Sequence, residues 1–400
     1  MRKDFLFCIS LFLLLPSYIF AQTIQGKIID RKTGLGIAFT SIGVVGTNEV
    51  TVSNENGDYV LKIASYPAKI KFSHISYIKT EVTLTQRQEQ LSIQLMPANI
   101  GLREVVIKPY QAEKLLIAAL KKAKENSENH TYAKSFYRQL TAINDNPSEI
   151  YELFYDLKWS PVGIKGWLAK QSRFASSKEN LNFTINNQSF LTFIFSGMLL
   201  PEKSGKFIRL ETIKEYIITV DRFIEQTDQQ VAVITCRLKK PSRKEMYVNS
   251  TYYIGTVNSN IYRLENQLIN LPNNFKYVNN NTKLAKPTLF TTVSTFKSEN
   301  DGIPKLESIA TKLNVAILAE KKPYNINVTS LLSIYRIDDD LKKQGFIALS
   351  GNINDKKVIE SIKYDANFWK NNPIVKQTTL EDTFIKMMES KQAFGTMTNP

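Results

Sequence analysis

The chain has 400 residues, of which 43% are hydrophobic, and carries a formal net charge of +15. That length supports two or three domains with cores of their own. Two cysteines, one of them inside the N-terminal apolar run, exclude an intrachain disulfide framework, so the fold must rest on apolar burial.

Met1 to Ala21 opens with Arg2 and Lys3, continues in an apolar run from Phe5 to Leu15, meets a breaker at Pro16 and ends on the small residue Ala21. This is the pattern of a secretory signal peptide over 1–21, and the run is too short for a bilayer span, which needs about 20 residues. A lipoprotein signal would need a cysteine just past the apolar run, and Cys8 lies within it. Loss of Arg2, Lys3 and Asp4 takes one unit from +15 and leaves +14. An exported chain meets lipid headgroups, lipopolysaccharide and acidic glycans rather than nucleic acid. No basic run reaches five residues, so the surplus reads as a spread, solvated surface.

From Ile24 to Leu95 the apolar residues alternate in short runs, at Ile24, Ile28; Phe39, Ile42, Val44; Val50, Val52; Tyr59, Leu61, Ile63; Ile70, Phe72; Val82, Leu84; and Leu91, Ile93, Leu95. Turn residues separate them, which predicts about seven short antiparallel strands in a β-sandwich of prealbumin or Ig-like type over 22–97. Asn54-Glu55-Asn56-Gly57-Asp58 reads as a hairpin turn with Gly57 at positive φ. A calcium loop is excluded there, because Val52 and Ile63 would occupy its first and twelfth positions without oxygen ligands.

The segments GKIID (Gly26 to Asp30), SNENGDYVLKI (Ser53 to Ile63), KIKFSHISYI (Lys69 to Ile78), LSIQLMP (Leu91 to Pro97) and LREVVI (Leu102 to Ile107) stand in one order. Together they resemble the carboxypeptidase-like regulatory domain. Ser76 stands where that family usually has glycine. The resemblance implies a non-catalytic module found at the start of exported Gram-negative envelope proteins, TonB-dependent outer-membrane receptors among them. It implies no zinc site: two separated histidines, His74 and His130, without an H-x-x-E pattern, do not make one. His74 shares parity with Ile70 and Phe72 and is expected to face inward as a structural residue. The uneven runs after Ile107 do not suit a receptor barrel.

Residues 98–109 read as a linker and 110–128 as a helix, with Ala112, Leu115, Leu116, Ala119, Leu120 and Ala123 on one stripe. Residues 129–400 read as a second, β-rich domain with a C-terminal helix near 379–391, where Thr378 and Glu381 form a capping box. Its best strand runs are Ile150 to Leu157, Tyr216 to Val220, Gln230 to Leu238, Ser250 to Ile254, Ile261 to Leu268, Leu289 to Thr295, Leu306 to Ala319, Tyr324 to Arg336, Phe346 to Leu349 and Val358 to Tyr364. They predict one large curved antiparallel sheet, so the fold class is mainly β. Asn270 to Lys286 reads as a long exposed loop. Phe190 to Leu200 is the most apolar run after the signal, a buried helix or a flap, and Phe190, Phe193, Phe195, Met198 and Leu199 are the candidate ligand lid.

No catalytic residue, cofactor site or metal site is predicted. Cys236 has no histidine partner, Asp338-Asp339-Asp340 reads as a solvated turn, and Glu152 and Asp156 share a strand face without a visible cleft. The expected function is that of an exported, non-enzymatic docking protein at the periplasm or outer-membrane periphery, with an envelope protein as partner and no transmembrane helix after signal cleavage. The alternative is a carrier of a lipid or other apolar ligand in the curved sheet. An anionic surface glycan is a further possible ligand, and a carboxylate hydrolase using Glu152 is the third reading.

Overall fold

The computed structural model describes residues 22–101, 109–177, 192–193, 195–201, 206–226, 229–241, 244–270, 282–284, 289–298, 304–319, 321–348, 361–372 and 374–395. The signal segment 1–21 lies outside the described residues.

The seven alternating runs form seven strands: β1 (Gln22–Asp30), β2 (Ser41–Val44), β3 (Val50–Val52), β4 (Asp58–Ile63), β5 (Ala68–Ser73), β6 (Thr80–Leu84) and β7 (Ile93–Leu95). They make two facing sheets, β4-β1-β7 and β3-β2-β5-β6. Ile24, Ile28, Ile42, Tyr59, Leu61, Ile70, Phe72 and Leu95 fill the space between them. The all-antiparallel expectation fails at one place, since β1 runs parallel to β7. Residues between β4 and β7 carry the chain to the other sheet and back, so β7 can enter beside β1 in the same direction.

The Asn54 to Asp58 turn is built as expected. The Asn54 side-chain oxygen accepts from the backbone N–H groups of Asn56 and Asp58, each at 2.9 Å. Gly57 has φ 82°, and a Cβ there would sit 2.4 Å from the carbonyl oxygen of Ile28. Gly57→Ala is therefore expected to cost more than the roughly 1–2 kcal/mol of a left-handed L-residue alone. Urea unfolding of the full chain measures this, and an unchanged midpoint would show that the turn is not held in this form. At Ser76 the glycine is not missed: its N–H donates to His74 Nδ1 at 3.2 Å, and its φ is not positive.

A short strand, β8 (Ile100–Gly101), and helix α1 (Pro109–Glu125) lead into the large sheet. Its strands are β9 (Thr131–Ile143), β10 (Asn146–Ser160), β11 (Gly163–Ser176), β12 (Tyr216–Glu225), β13 (Gln230–Leu238), β14 (Tyr247–Gly255), β15 (Ile261–Ile269), β16 (Thr282–Leu284), β17 (Leu289–Ser298), β18 (Pro304–Ala319), β19 (Lys322–Ile337) and β20 (Ile347–Ala348). The order is β20-β11-β10-β9-β19-β18-β17-β15-β14-β13-β12-β8, with β16 paired to β18, thirteen strands in one antiparallel sheet. β16 falls within the stretch expected to be a loop, most of which lies outside the described residues. The expected strand at Val358 to Tyr364 is not found: residues 361–364 are turn and coil, and the rest lies outside the described residues.

The sheet curls strongly. β10 and β17 stand four strands apart in the order, about 19 Å in a flat sheet at roughly 4.8 Å per strand. Yet the rings of Trp159 on β10 and Phe296 on β17 meet at 5.9 Å. Among the described residues the two edge strands, β20 and β8, do not pair with each other.

Two helices end the described chain, α2 (Ala366–Asn371) and α3 (Thr379–Ser390). The capping box holds: Thr378 N donates to Glu381 Oε2 at 2.8 Å, and Glu381 N donates to Thr378 Oγ1 at 3.3 Å. Residues 364–395 lie across the outer face of the sheet and reach the sandwich. Thr51 Oγ1 donates to the Ile374 carbonyl, Asn54 Nδ2 to the Lys376 carbonyl and Lys62 Nζ to Asn372 Oδ1, at 2.9, 3.1 and 3.1 Å.

Candidate functional site

Side chains alternate across β9, β10 and β11, so the two faces of the curl differ. Tyr137, Leu153, Tyr155, Leu157, Trp159 and Trp167 point inward and are fully buried. Ile234, Leu264, Ile309 and Leu332 continue this apolar wall from the other strands. Separate pieces of chain cover it. Helix α1 turns its Ala112, Leu116, Ala119 and Leu120 stripe inward, and Lys122 Nζ fastens it to the carbonyl of Asn258 at 3.0 Å. Phe193, Phe195, Met198 and Leu199, from the described residues 192–193 and 195–200, add to the cover.

Of the residues expected as a lid, Phe193, Phe195, Met198 and Leu199 are buried in the same core cluster, while Phe190 lies outside the described residues. Phe193 packs between Tyr155 and Trp167, at ring distances of 5.4 and 5.6 Å, and Phe195 meets Phe290 at 4.6 Å. Ser196 Oγ accepts from the N–H of Ile164 at 2.8 Å and so ties the turn to β11. The indole N–H groups of Trp159 and Trp167 are buried without a hydrogen-bond partner. An apolar wall bearing a few unspent donors is suited to a ligand with an apolar body and a polar group.

The outer face carries a buried ion cluster. Glu152 on β10 stands opposite Arg138 on β9 and Arg173 on β11. Arg138 Nε donates to Glu152 Oε1 at 2.6 Å, and Arg173 Nε donates to Glu152 Oε2. Burial alone would raise the Glu152 pKa, but Arg173 and Arg138 outweigh it and hold the carboxyl below its usual range. The guanidinium of Arg138 also donates to the Val375 carbonyl at 3.1 Å, and that of Arg173 lies 4.6 Å from the ring centre of Trp369. Glu152 is thus a fixed, ionised acceptor that fastens residues 364–395, and it is poorly suited to protonating a leaving group. Asp156 shares its face, as the strand parity required, and pairs with Lys170 at 3.0 Å.

The other titratable residues singled out in the sequence do not converge. Burial pushes the Cys236 thiol up to about 12, opposed by Arg237, so it is inert at neutral pH. Asp338 caps a short turn over Asp339–Lys343 and lies 3.5 Å from Lys134. Among the described residues no group of His, Cys, Asp and Glu is placed to hold a metal ion. His74 lies just beyond β5 at the junction between sandwich and large sheet, where its Nδ1 accepts from the N–H of Ser76 at 3.2 Å.

Residues 24–107 match the family model of the CarboxypepD_reg-like domain, and the N-terminal sandwich is such a domain. No curated protein matches the chain at a significant level. Among solved structures, the chain is similar to a domain described as an outer membrane lipoprotein-sorting protein from Vibrio parahaemolyticus, at 14% identity, 62% of this chain, 98% of that chain and a TM-score of 0.25. It is also similar to a DUF1329 family protein from Desulfovibrio piger, at 10%, 59%, 97% and 0.24. A LolA superfamily protein from Nitrosomonas europaea follows, at 9%, 57%, 96% and 0.19. Among the described residues no helix is long and apolar enough to cross a membrane.

Proposed function

We propose that this protein is an exported, non-enzymatic component of the cell envelope, at the periplasm or outer-membrane periphery, that holds an apolar ligand such as a lipid within its curled sheet. One observation carries this reading: the wall of the curl is largely apolar and aromatic, crossed by one polar row of Ser250, Asn266, Thr292, Thr311 and Ser330, and it is covered by α1 and by Phe193, Phe195, Met198 and Leu199, which belong to no strand of the sheet. In this reading those pieces are the lid, and the indole donors of Trp159 and Trp167 meet the polar end of the ligand. The test is organic extraction and mass spectrometry of the full chain purified from native envelopes, with displacement of a fluorescent fatty acid as a second measurement. A lipid in defined ratio and saturable displacement are expected. No lipid and no displacement would overturn the proposal.

A second reading is that of a docking protein for an envelope partner. It is favoured by the sandwich, which keeps Leu35, Ile78 and Met96 exposed. Gentle crosslinking in envelope fractions that recovers no partner would count against it.

A further inference from the structure

The geometry points to the polar row inside the curl as the seat of an uncharged acyl ester whose chains leave it in opposite directions, an assignment that rests on the carrier reading above and names its ligand. Ser250, Asn266, Thr292, Thr311 and Ser330 are successive cross-strand partners on β14, β15, β17, β18 and β19. By parity with their buried neighbours they share the inner face. The row crosses the wall midway. Leu268, Phe290 and Leu313 lie on one side of it, and Leu264, Ile309 and Leu332 on the other, interrupted by Ser294. A fatty acid carries its polar group at one end, whereas a row between two apolar flanks matches a molecule whose polar group is in the middle.

Hydrogen bonds within the row run one way and then stop. Ser250 Oγ donates to Asn266 Oδ1 at 2.6 Å, and Asn266 Nδ2 donates to Thr292 Oγ1 at 3.1 Å. Among the described residues the Thr292 hydroxyl finds no acceptor of its own, although the residue is only 1% exposed. Its cross-strand partner Thr311 turns instead to Ser330, with the two hydroxyl oxygens 2.6 Å apart. Two hydroxyls carry two hydrogens and their mutual bond uses one, so when Ser330 is the donor the hydrogen of Thr311 is left to face the break. A buried donor without an acceptor is costly, and the break between Thr292 and Thr311 therefore calls for an oxygen. An ester carbonyl supplies two lone pairs and no donor. A carboxylate or phosphate brings a charge, and neither the row nor its flanks hold a Lys, Arg or His to offset it.

The cover already imitates such a ligand. Thr192, 1% exposed, brings its hydroxyl to 3.4 Å from Ser330 Oγ, while Phe193 beside it and Phe195 pack on the apolar wall. A neutral oxygen next to apolar groups thus rests against the row, and the ester takes that place when the cover lifts.

Octyl octanoate and palmitic acid are isomers, and they differ in where the polar group sits and in its charge. The full chain is titrated with each, and with hexadecane, at neutral pH, and binding is read by the fluorescence of its buried Trp159 and Trp167. Octyl octanoate is expected to bind at least about tenfold tighter than either, the scale of one or two hydrogen bonds. The double variant Thr292→Val, Thr311→Val removes both hydroxyls at similar shape, and it should lose at least about tenfold in ester affinity while hexadecane stays within about twofold. A melting curve establishes that the variant is folded, and the ranking of the three ligands by the natural chain stands without it. Palmitic acid or hexadecane bound as tightly as the ester, or unchanged ester affinity in the folded variant, overturns the ester site and leaves the carrier reading standing. Binding of none of the three overturns both.

Discussion

Glu152→Ala is expected to destabilise the fold by about 3–5 kcal/mol, the cost of removing one partner from a buried ion cluster. The variant leaves Arg138 and Arg173 facing each other, both less than a tenth exposed, with no carboxylate between them. Urea unfolding of the full chain checks this, and a loss below about 1 kcal/mol would show that Glu381 and Glu389 compensate. The pH dependence has a definite sign. The folded-state pKa of Glu152 lies below its unfolded value, with burial overcome by the two arginines, so its stabilisation is fully present above the ordinary carboxylate pKa of about 4.3. It is lost as pH falls through the folded value. Glu152→Gln should remove that part of the acid sensitivity while keeping the volume, and an identical acid profile in the two proteins would remove Glu152 from the account.

Trp159→Ala is the second large effect. Trp159 is fully buried, and its ring touches Phe296 across the curl, so the variant loses both the transfer free energy of an indole and the contact that draws β10 toward β17. The expected cost is about 3–5 kcal/mol. The variant also creates an apolar hollow behind the wall, which should bind a small apolar probe such as benzene and recover part of the lost stability. Thermal melting with and without the probe distinguishes the cases. Stability close to wild type would mean that the wall packs without this contact.

The sandwich could be read from the sequence because its strands bury one face and wet the other. Ile70, Phe72 and Lys69, Lys71 fall on opposite sides of β5, and that alternation is visible without coordinates. β9 and β11 went unnoticed for the opposite reason. From Phe136 to Ile143 every residue of β9 is buried, so the period of two vanishes, and Arg138 and Gln139 look like solvent-facing residues. What covers that face is the 364–395 segment, more than two hundred residues away, and no local pattern announces it. Contacts such as Phe154 to Phe368 at 4.9 Å and Arg138 to Val375 join β9 and β10 to that segment. The aromatic wall was half legible: Tyr151, Leu153, Tyr155, Leu157 and Trp159 do alternate, but only the curl shows that they face a lid.

The strap over the outer face also bears on how the chain reaches this state. Its hydrogen bonds to the sandwich join residues separated by 310 to 351 positions, from Lys62 with Asn372 to Gln25 with Lys376. Wherever the chain emerges to fold, the sandwich comes out first and can close its own core before residue 376 arrives. The large sheet is also incomplete until β19 arrives to pair with β9. Loop-closure entropy of this kind slows folding, and the half-made sheet would meanwhile expose its edges and its apolar wall. The order of synthesis thus makes the later-made segment the latch that joins the sandwich to the large sheet, and a window for chaperone capture stays open until it closes.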